Sequence, residues 1–366
     1  MLDSAIFGNL CAESSRIFAT FKGEKMIFID ACLRKPTPYT PIWLMRQAGR
    51  YLSEYRAVRE RAGSFLELCK SVDLATQVTL QPVEIFDLDA AILFSDILVV
   101  PLEMGLDLEF VANEGPKFNT TIRNEIDFSA LKSNISLSYV YDAVSSIRAK
   151  LPKDKALIGF CGAPWTLATY MIEGQGSKTY THSKKMLYTN PQLLHSLLKR
   201  ISAELKAYLE GQIRAGANAV MIFDSWAGAL EPSAYMEFGF KYILDIVNYL
   251  KAQYPKIPII VFPKGVGGYL QSFAKVGANF EVFGIDWGCD LKNAKEILGK
   301  KFVLQGNLEP ARLYNEKAME AGIDEILSIM DKKEGHIFNL GHGMLPDLPR
   351  ESVAKLVQIV REKTAR

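Results

Sequence analysis

Short, continuously apolar runs alternate with longer amphipathic stretches along this chain. The runs are TPIWLM (40–45), LDAAILFS (88–95), KALIGFC (155–161), NAVMIF (218–223), IPIIVF (257–262), FEVFGI (280–285), FVLQ (302–305) and HIFNL (336–340). Because they are apolar on both faces, they predict strands buried on both sides of a parallel sheet. Between them, AVRERAGSFLELC (57–69), PQLLHSLLKRISAELKAYLEGQIRAG (191–216) and SAYMEFGFKYILDIVNYLKAQY (233–254) carry apolar residues at three- and four-residue spacing, which predicts helices. Gly216 and Pro255 stand where helix stops are expected. The alternation predicts an α/β protein, and the eight runs predict a single (β/α)8 (TIM) barrel with its active-site cleft at the C-terminal strand ends. A doubly wound sheet is the rival architecture.

The stretch from about 100 to 135 breaks the rhythm and reads as an insertion with a small hairpin at LDLEFVA. No composition shift marks a linker, so residues 26–366 read as one barrel domain. Residues 1–25 read as a peripheral extension outside the folded unit. They have neither the basic start nor the long apolar centre of a signal peptide, and their equal numbers of acids and bases match a transit peptide poorly.

With 366 residues, 49% of them hydrophobic, the chain can bury a large core. Its 43 basic and 41 acidic residues leave a net charge of +2, which argues against nucleic-acid binding through a general basic field. Anion recognition must then be local. Five scattered cysteines, with no CxxC, fit free thiols in a reducing, cytoplasmic setting. No apolar run approaches the ~20 residues of a membrane span.

The predicted C-terminal strand ends carry the polar residues that a barrel site needs. They are Arg46-Gln47, Ser95-Asp96, the turn GFCGAPWTLATY, Asp224-Ser225-Trp226, Pro263-Lys264, Asp286-Trp287, Gln305-Gly306-Asn307 and Gly341-His342-Gly343, and the opposite ends promise no comparable set. Asp224 and Asp286 serve equally well as caps or lysine partners. Asp96 differs, because FSDILVVP gives it almost no polar company and a carboxylate there needs donors. Arg46 and Arg50 flank Gly49 in PIWLMRQAGRY, a stretch without an acid. They could clamp the following helix through Glu54 or Glu60, but guanidinium forks also suit carboxylate ligands. Gly162 and Pro164 shape a turn that Thr166 would cap, and Tyr170 either faces the site or packs on Trp165. His342, between two glycines, reads as exposed, whereas His182, His195 and His336 read as ordinary surface or helix positions. There is no HxH, HExxH, P-loop, GxGxxG after a strand, or GxSxG, so the chemistry reads as free of metal and cofactor.

PIWLMRQAGRYLSEY and GFCGAPWTLATYM, extended by FSDILVVP, FDSWAG, LQGNL and NLGHGM, resemble the uroporphyrinogen decarboxylase family from about residue 26 to the C-terminus. Ser53 departs from the family pattern, which has proline there. The resemblance implies a single barrel, a homodimer with facing clefts, and removal of CO2 from the four acetates of uroporphyrinogen III to give coproporphyrinogen III in haem biosynthesis. It implies that the loop Arg46, Gln47, Ala48, Gly49 and Arg50 meets substrate carboxylates. It also implies that Asp96 sits at the cleft centre and that Tyr170, Ser225 and His342 complete the contacts. Asp96, Arg46 and Tyr170 are then the expected catalytic groups. No cofactor is implied, because the protonated pyrrole is itself the electron sink. A zinc-dependent methyltransferase of the same superfamily and a non-catalytic porphyrinogen carrier are the alternatives.

Overall fold

The computed structural model describes residues 25–111, 115–330 and 335–366. All but the last residue of the expected extension over 1–25 therefore lies outside the described residues. The strands are β1 (Ala90–Ile92), β2 (Leu108–Val111), β3 (Gly115–Phe118), β4 (Ala156–Gly162), β5 (Ala219–Asp224), β6 (Ile259–Pro263), β7 (Val282–Gly284), β8 (Val303–Gln305) and β9 (His336–Ile337). Seven of them make one sheet in the order β1-β4-β5-β6-β7-β8-β9, with every neighbouring pair parallel. β2 and β3 pair antiparallel outside it, where the insertion hairpin was expected.

The run at 40–45 closes the curl with a single residue. Ile42 bridges Phe338 in parallel, and on its other side the Asp89 N–H donates to the Ile42 carbonyl at 3.0 Å. The Ile42 N–H in turn donates to the Asp89 carboxylate at 2.8 Å. Proline at 41 removes one ladder donor, which suits a stave held by a bridge instead of a full strand. All eight apolar runs thus occupy stave positions. The doubly wound alternative fails because its sheet would stay open at both edges.

Helices cover the sheet largely where the three- and four-residue spacing placed them. Pro191–Arg214 is one helix, capped by the Asn190 side chain and followed by Gly216 in the left-handed region at φ +118°. Two expected helices are interrupted. The stretch 57–69 falls in two helices, Ser53–Arg61 and Phe65–Lys70, because Gly63 turns left-handed and Ser64 caps the second. The stretch 233–254 contains a π turn at Met236–Phe240. Gly239 sits there against the Tyr235 ring, where any side chain would collide. A surface cavity of about 460 Å³ beside this turn, edged by Lys241 and Asp245, is lined by no strand-end residue.

The N-terminal strand ends are more charged than the sequence suggested. Asp87 pairs with Lys155 and with Arg361 of the last helix, each at 2.5 Å, and Arg361 also reaches Asp89 at 3.2 Å. Tyr39 adds a hydrogen bond to Asp89 at 2.7 Å. These charges satisfy one another, so this end is a girdle that ties the closing stave to the last helix. Unlike at the other end, these charges are not left waiting for a ligand.

Candidate active site

The loop after the closing stave begins with Met45, whose N–H donates to the Asn339 carboxamide oxygen at 3.1 Å. Arg46 follows in the left-handed region at φ +60°, a costly conformation for a residue with a side chain. Its stem lies against Gly343, where a methyl group would strike it. Arg46 is therefore aimed by the fold. Its charge acts on Asp96, Tyr170, Lys264 and His342, which places it among the loops after β1, β6 and β9 and the helix that follows β4. Among the described residues no carboxylate lies within ion-pair distance of it. Glu54, its candidate partner, pairs with Arg350 at 2.7 Å instead.

The rest of the loop divides. Gln47 is buried, and its amide is spent on the Leu44 N–H and the Ala90 carbonyl, both at 3.2 Å. Its side chain holds the loop to β1 and does not enter the cleft. Ala48 and Gly49 are half-buried, and Arg50 is exposed. Arg50 acts on Tyr55 and gives its carbonyl to Arg56 at 2.7 Å, so it stands at the outer side of the loop, apart from the Arg46 group. Ser53 opens the helix Ser53–Arg61 at its first position, a place where proline is equally at home.

Asp96 lies just past β1, ringed by protein yet only half-buried, as a group on a cleft floor would be. Desolvation raises its pKa, while the Leu98 N–H (2.8 Å to the carboxylate) and the Arg46 charge pull it down. Among the described residues no lysine or arginine is close enough to form an ion pair with it. Tyr170 sits on the helix Pro164–Glu173, which proline starts and Gly174 ends in the left-handed region. Its ring packs on Trp226 at 5.9 Å, not on Trp165, and Tyr180 covers the other part of that indole at 5.5 Å. Burial and the charge of Asp96 push the Tyr170 phenol up to about 12, while Arg46 opposes them, so Tyr170 faces both groups.

Thr166 does not cap its helix. Its hydroxyl donates to Asp224 at 2.6 Å and accepts from the Trp226 N–H at 3.2 Å, and Tyr235 donates to the other Asp224 oxygen at 2.9 Å. Asp224 is fully buried, and desolvation lifts its pKa to about 6. It pins β5 beneath the site and leaves Ser225, half-buried, at the strand end. Asp286 is likewise structural: its oxygens accept from the Gly265 and Gly288 N–H groups at 2.7 and 2.8 Å. An acid whose folded pKa exceeds its unfolded one holds its proton more tightly when folded. Stability linked to Asp224 is therefore greatest at low pH and falls as pH rises from about 4 through about 6. Asp224→Asn should remove this dependence. In urea titrations its stability relative to the parent should improve by roughly 2–3 kcal/mol between about pH 4 and pH 8.

His342 is not exposed as its glycine neighbours suggested. It is half-buried between Phe262 (6.1 Å) and Trp287 (5.9 Å), and burial with the charges of Arg46 and Lys264 drives its pKa down to about 3. It is a neutral hydrogen-bonding group at ordinary pH. His336 is also buried, in β9, with its ring bonded to the Gly306 carbonyl at 2.9 Å. Phe160, Phe223 and Phe262 pack across β4, β5 and β6 with centroid spacings of 5.7 and 6.1 Å; Phe160 and Phe262 are buried, and half-buried Phe223 is the ring of the three that faces the cleft. The resemblance implies an apolar wall at the strand ends without naming its residues; Phe223 and Phe262 fall in register there. Lys264 and Trp287 also join the cleft, and their strand-end positions were the available signal.

Fold and site together define an α/β-barrel enzyme. The family model described as uroporphyrinogen decarboxylase (URO-D) matches residues 24–363. The chain is 69% identical over 343 residues to uroporphyrinogen decarboxylase of Helicobacter hepaticus, covering 93% of this chain and 100% of that protein. It is 62% identical to the Wolinella succinogenes protein of the same name over 343 residues, with the same coverage. Among solved structures, a methyltransferase from Methanosarcina mazei superposes with a TM-score of 0.73 at 17% identity, over 93% of this chain and 98% of that one, a likeness of fold. The chain belongs to the uroporphyrinogen decarboxylase family.

Proposed function

We propose that this chain converts the four acetates of uroporphyrinogen III to methyl groups, releasing CO2 and giving coproporphyrinogen III in haem biosynthesis. The observation that carries the mechanism is Asp96: a carboxylate on an accessible floor, held by one backbone N–H and left without an ion-pair partner among the described residues, near an equally unpaired Arg46. The four pyrrole N–H groups of the macrocycle supply the donors that Asp96 lacks. Arg46 meets a side-chain carboxylate, with Arg50 at the outer edge of the loop and Ala48 and Gly49 letting the ligand approach. Ser225, Tyr170 and His342 add hydrogen bonds, and half-buried Phe223, backed by the buried Phe160 and Phe262, meets the apolar face of the rings.

The reaction then needs only protons. A proton added to the pyrrole α-carbon makes the ring cationic, and the acetate C–C bond breaks with its electron pair flowing into that ring. CO2 departs and leaves an exocyclic methylene. Protonation of the methylene and loss of the α-proton restore the pyrrole, so each acetate consumes one proton. Ionised Asp96 stabilises the cationic stage by charge placed in advance, as preorganised donors stabilise an oxyanion. His342, neutral above about pH 3, and Tyr170, protonated up to about pH 12, are poor proton donors near neutrality. The proton is therefore routed through water oriented by Arg46.

One catalytic unit over 26–366, a homodimer and a cytoplasmic location belong to the same proposal. The family match over 24–363 supports the first, and the free, buried Cys32, Cys69, Cys161 and Cys289 support the last. No helix among the described residues is long and apolar enough to cross a membrane. Incubated anaerobically with uroporphyrinogen III and no added cofactor, the purified protein should release CO2 and accumulate coproporphyrinogen. Folded protein that turns over nothing, or that carries stoichiometric zinc, would overturn the reading in favour of the carrier or the methyltransferase.

A further inference from the structure

Lys264 follows β6 directly and is half-buried, with its ammonium 4.9 Å from the centre of the Trp287 ring. Among the described residues no carboxylate is within ion-pair distance of it. Asp286, the acid whose field it feels most, has already given both oxygens to backbone N–H groups. A half-buried ammonium without a counterion costs free energy, and the charge of Arg46 adds to that cost. Both cations act on the neutral His342, and His342 stands edge-on to the same Trp287 that Lys264 covers. Gly341 lies so close to the Trp287 backbone that a side chain there would collide, which locks the β7 and β9 loops together behind the ammonium. The ends of β6, β7 and β9 therefore present a preset cation at a place where nothing in the fold needs one.

We propose that Lys264 is a positioning residue that binds a second carboxylate of the tetrapyrrole, distinct from the one met by Arg46, with Trp287 as its platform. This rests on the functional reading above. It gives the macrocycle a charged anchor separate from the Arg46–Arg50 loop, and the two anchors together set its rotation over Asp96. A point-charge ammonium suits this task, because each of the successive acetates and propionates must be released and replaced as the ring turns.

The test uses uroporphyrin III, the oxidised octacarboxylate, titrated by quenching of tryptophan fluorescence at low and high salt. Lys264→Met should raise its Kd about tenfold, the scale of one lost charge-assisted hydrogen bond, with less of the salt sensitivity seen in the parent. Lys264→Arg should restore affinity to within a few-fold. With uroporphyrinogen as substrate, the loss should fall on KM rather than kcat. Parental uroporphyrin affinity in a folded Lys264→Met protein, no rescue by arginine, or a loss confined to kcat would each overturn the proposal. If the parent protein fails to decarboxylate uroporphyrinogen, the functional reading falls on that result, while the porphyrin titration still decides whether Lys264 holds a carboxylate.

Discussion

Asp96→Asn should lower kcat by about 10²–10³-fold, the loss typical when one preorganised electrostatic partner is removed from an active site. The substitution keeps shape and one acceptor oxygen, so the Leu98 N–H keeps its bond and the loop keeps its path. What disappears is the negative charge opposite the cationic pyrrole. Uroporphyrin binding should weaken far less than turnover slows, because the carboxylate grips on the ring are untouched. In the parent enzyme the acid limb of kcat/KM should report Asp96 and lie above the ordinary aspartate range of about 3.9, since burial raises its pKa. Activity should fall as pH drops through that value, because the protonated acid cannot stabilise a cation. Near-parental kcat in a folded Asp96→Asn protein would remove the carboxylate from the mechanism.

Arg46→Ala should reduce kcat/KM by about 10²-fold or more, with both KM and kcat affected. Two losses combine. The guanidinium no longer meets a substrate carboxylate, and Asp96 loses the charge that lowers its pKa. The acid limb should therefore move to higher pH in the variant, a shift that loss of substrate grip alone does not produce. Arg46→Lys keeps the charge but not the planar fork, so the limb should return most of the way while KM stays raised. An unmoved limb in Arg46→Ala would show that the arginine acts on the substrate alone.

The arrangement of the barrel was legible where burial is local and continuous. Eight apolar runs appear in the order of the staves, and the longest helix matches its pattern from Pro191 to Arg214. Interruptions were harder to read. Gly63 and Gly239 look like tolerated glycines in a helical pattern, and only contact with Tyr235 or a capping Ser64 turns them into breaks. In the site, Asp96 stood out because it is a charge in an apolar run. Asp224 could serve as well as a cap or lysine partner as in the site, and the fold decides it: Thr166 and Tyr235, both outside its own strand, consume it. Gln47 sits in the same motif as Arg46 but turns into the scaffold.

Periodicity and lone charges, properties of neighbouring residues, thus told which segments are staves and which polar groups need partners. Which partner each group finds is set by parallel register, which joins residues tens of positions apart, and by closure through Ile42, which reaches Phe338 near the other end of the chain. Only the folded chain could show that Asp87, Asp89, Lys155 and Arg361 neutralise one another at one end of the barrel, while at the other end Asp96, Arg46 and Lys264 stand without an ion-pair partner among the described residues.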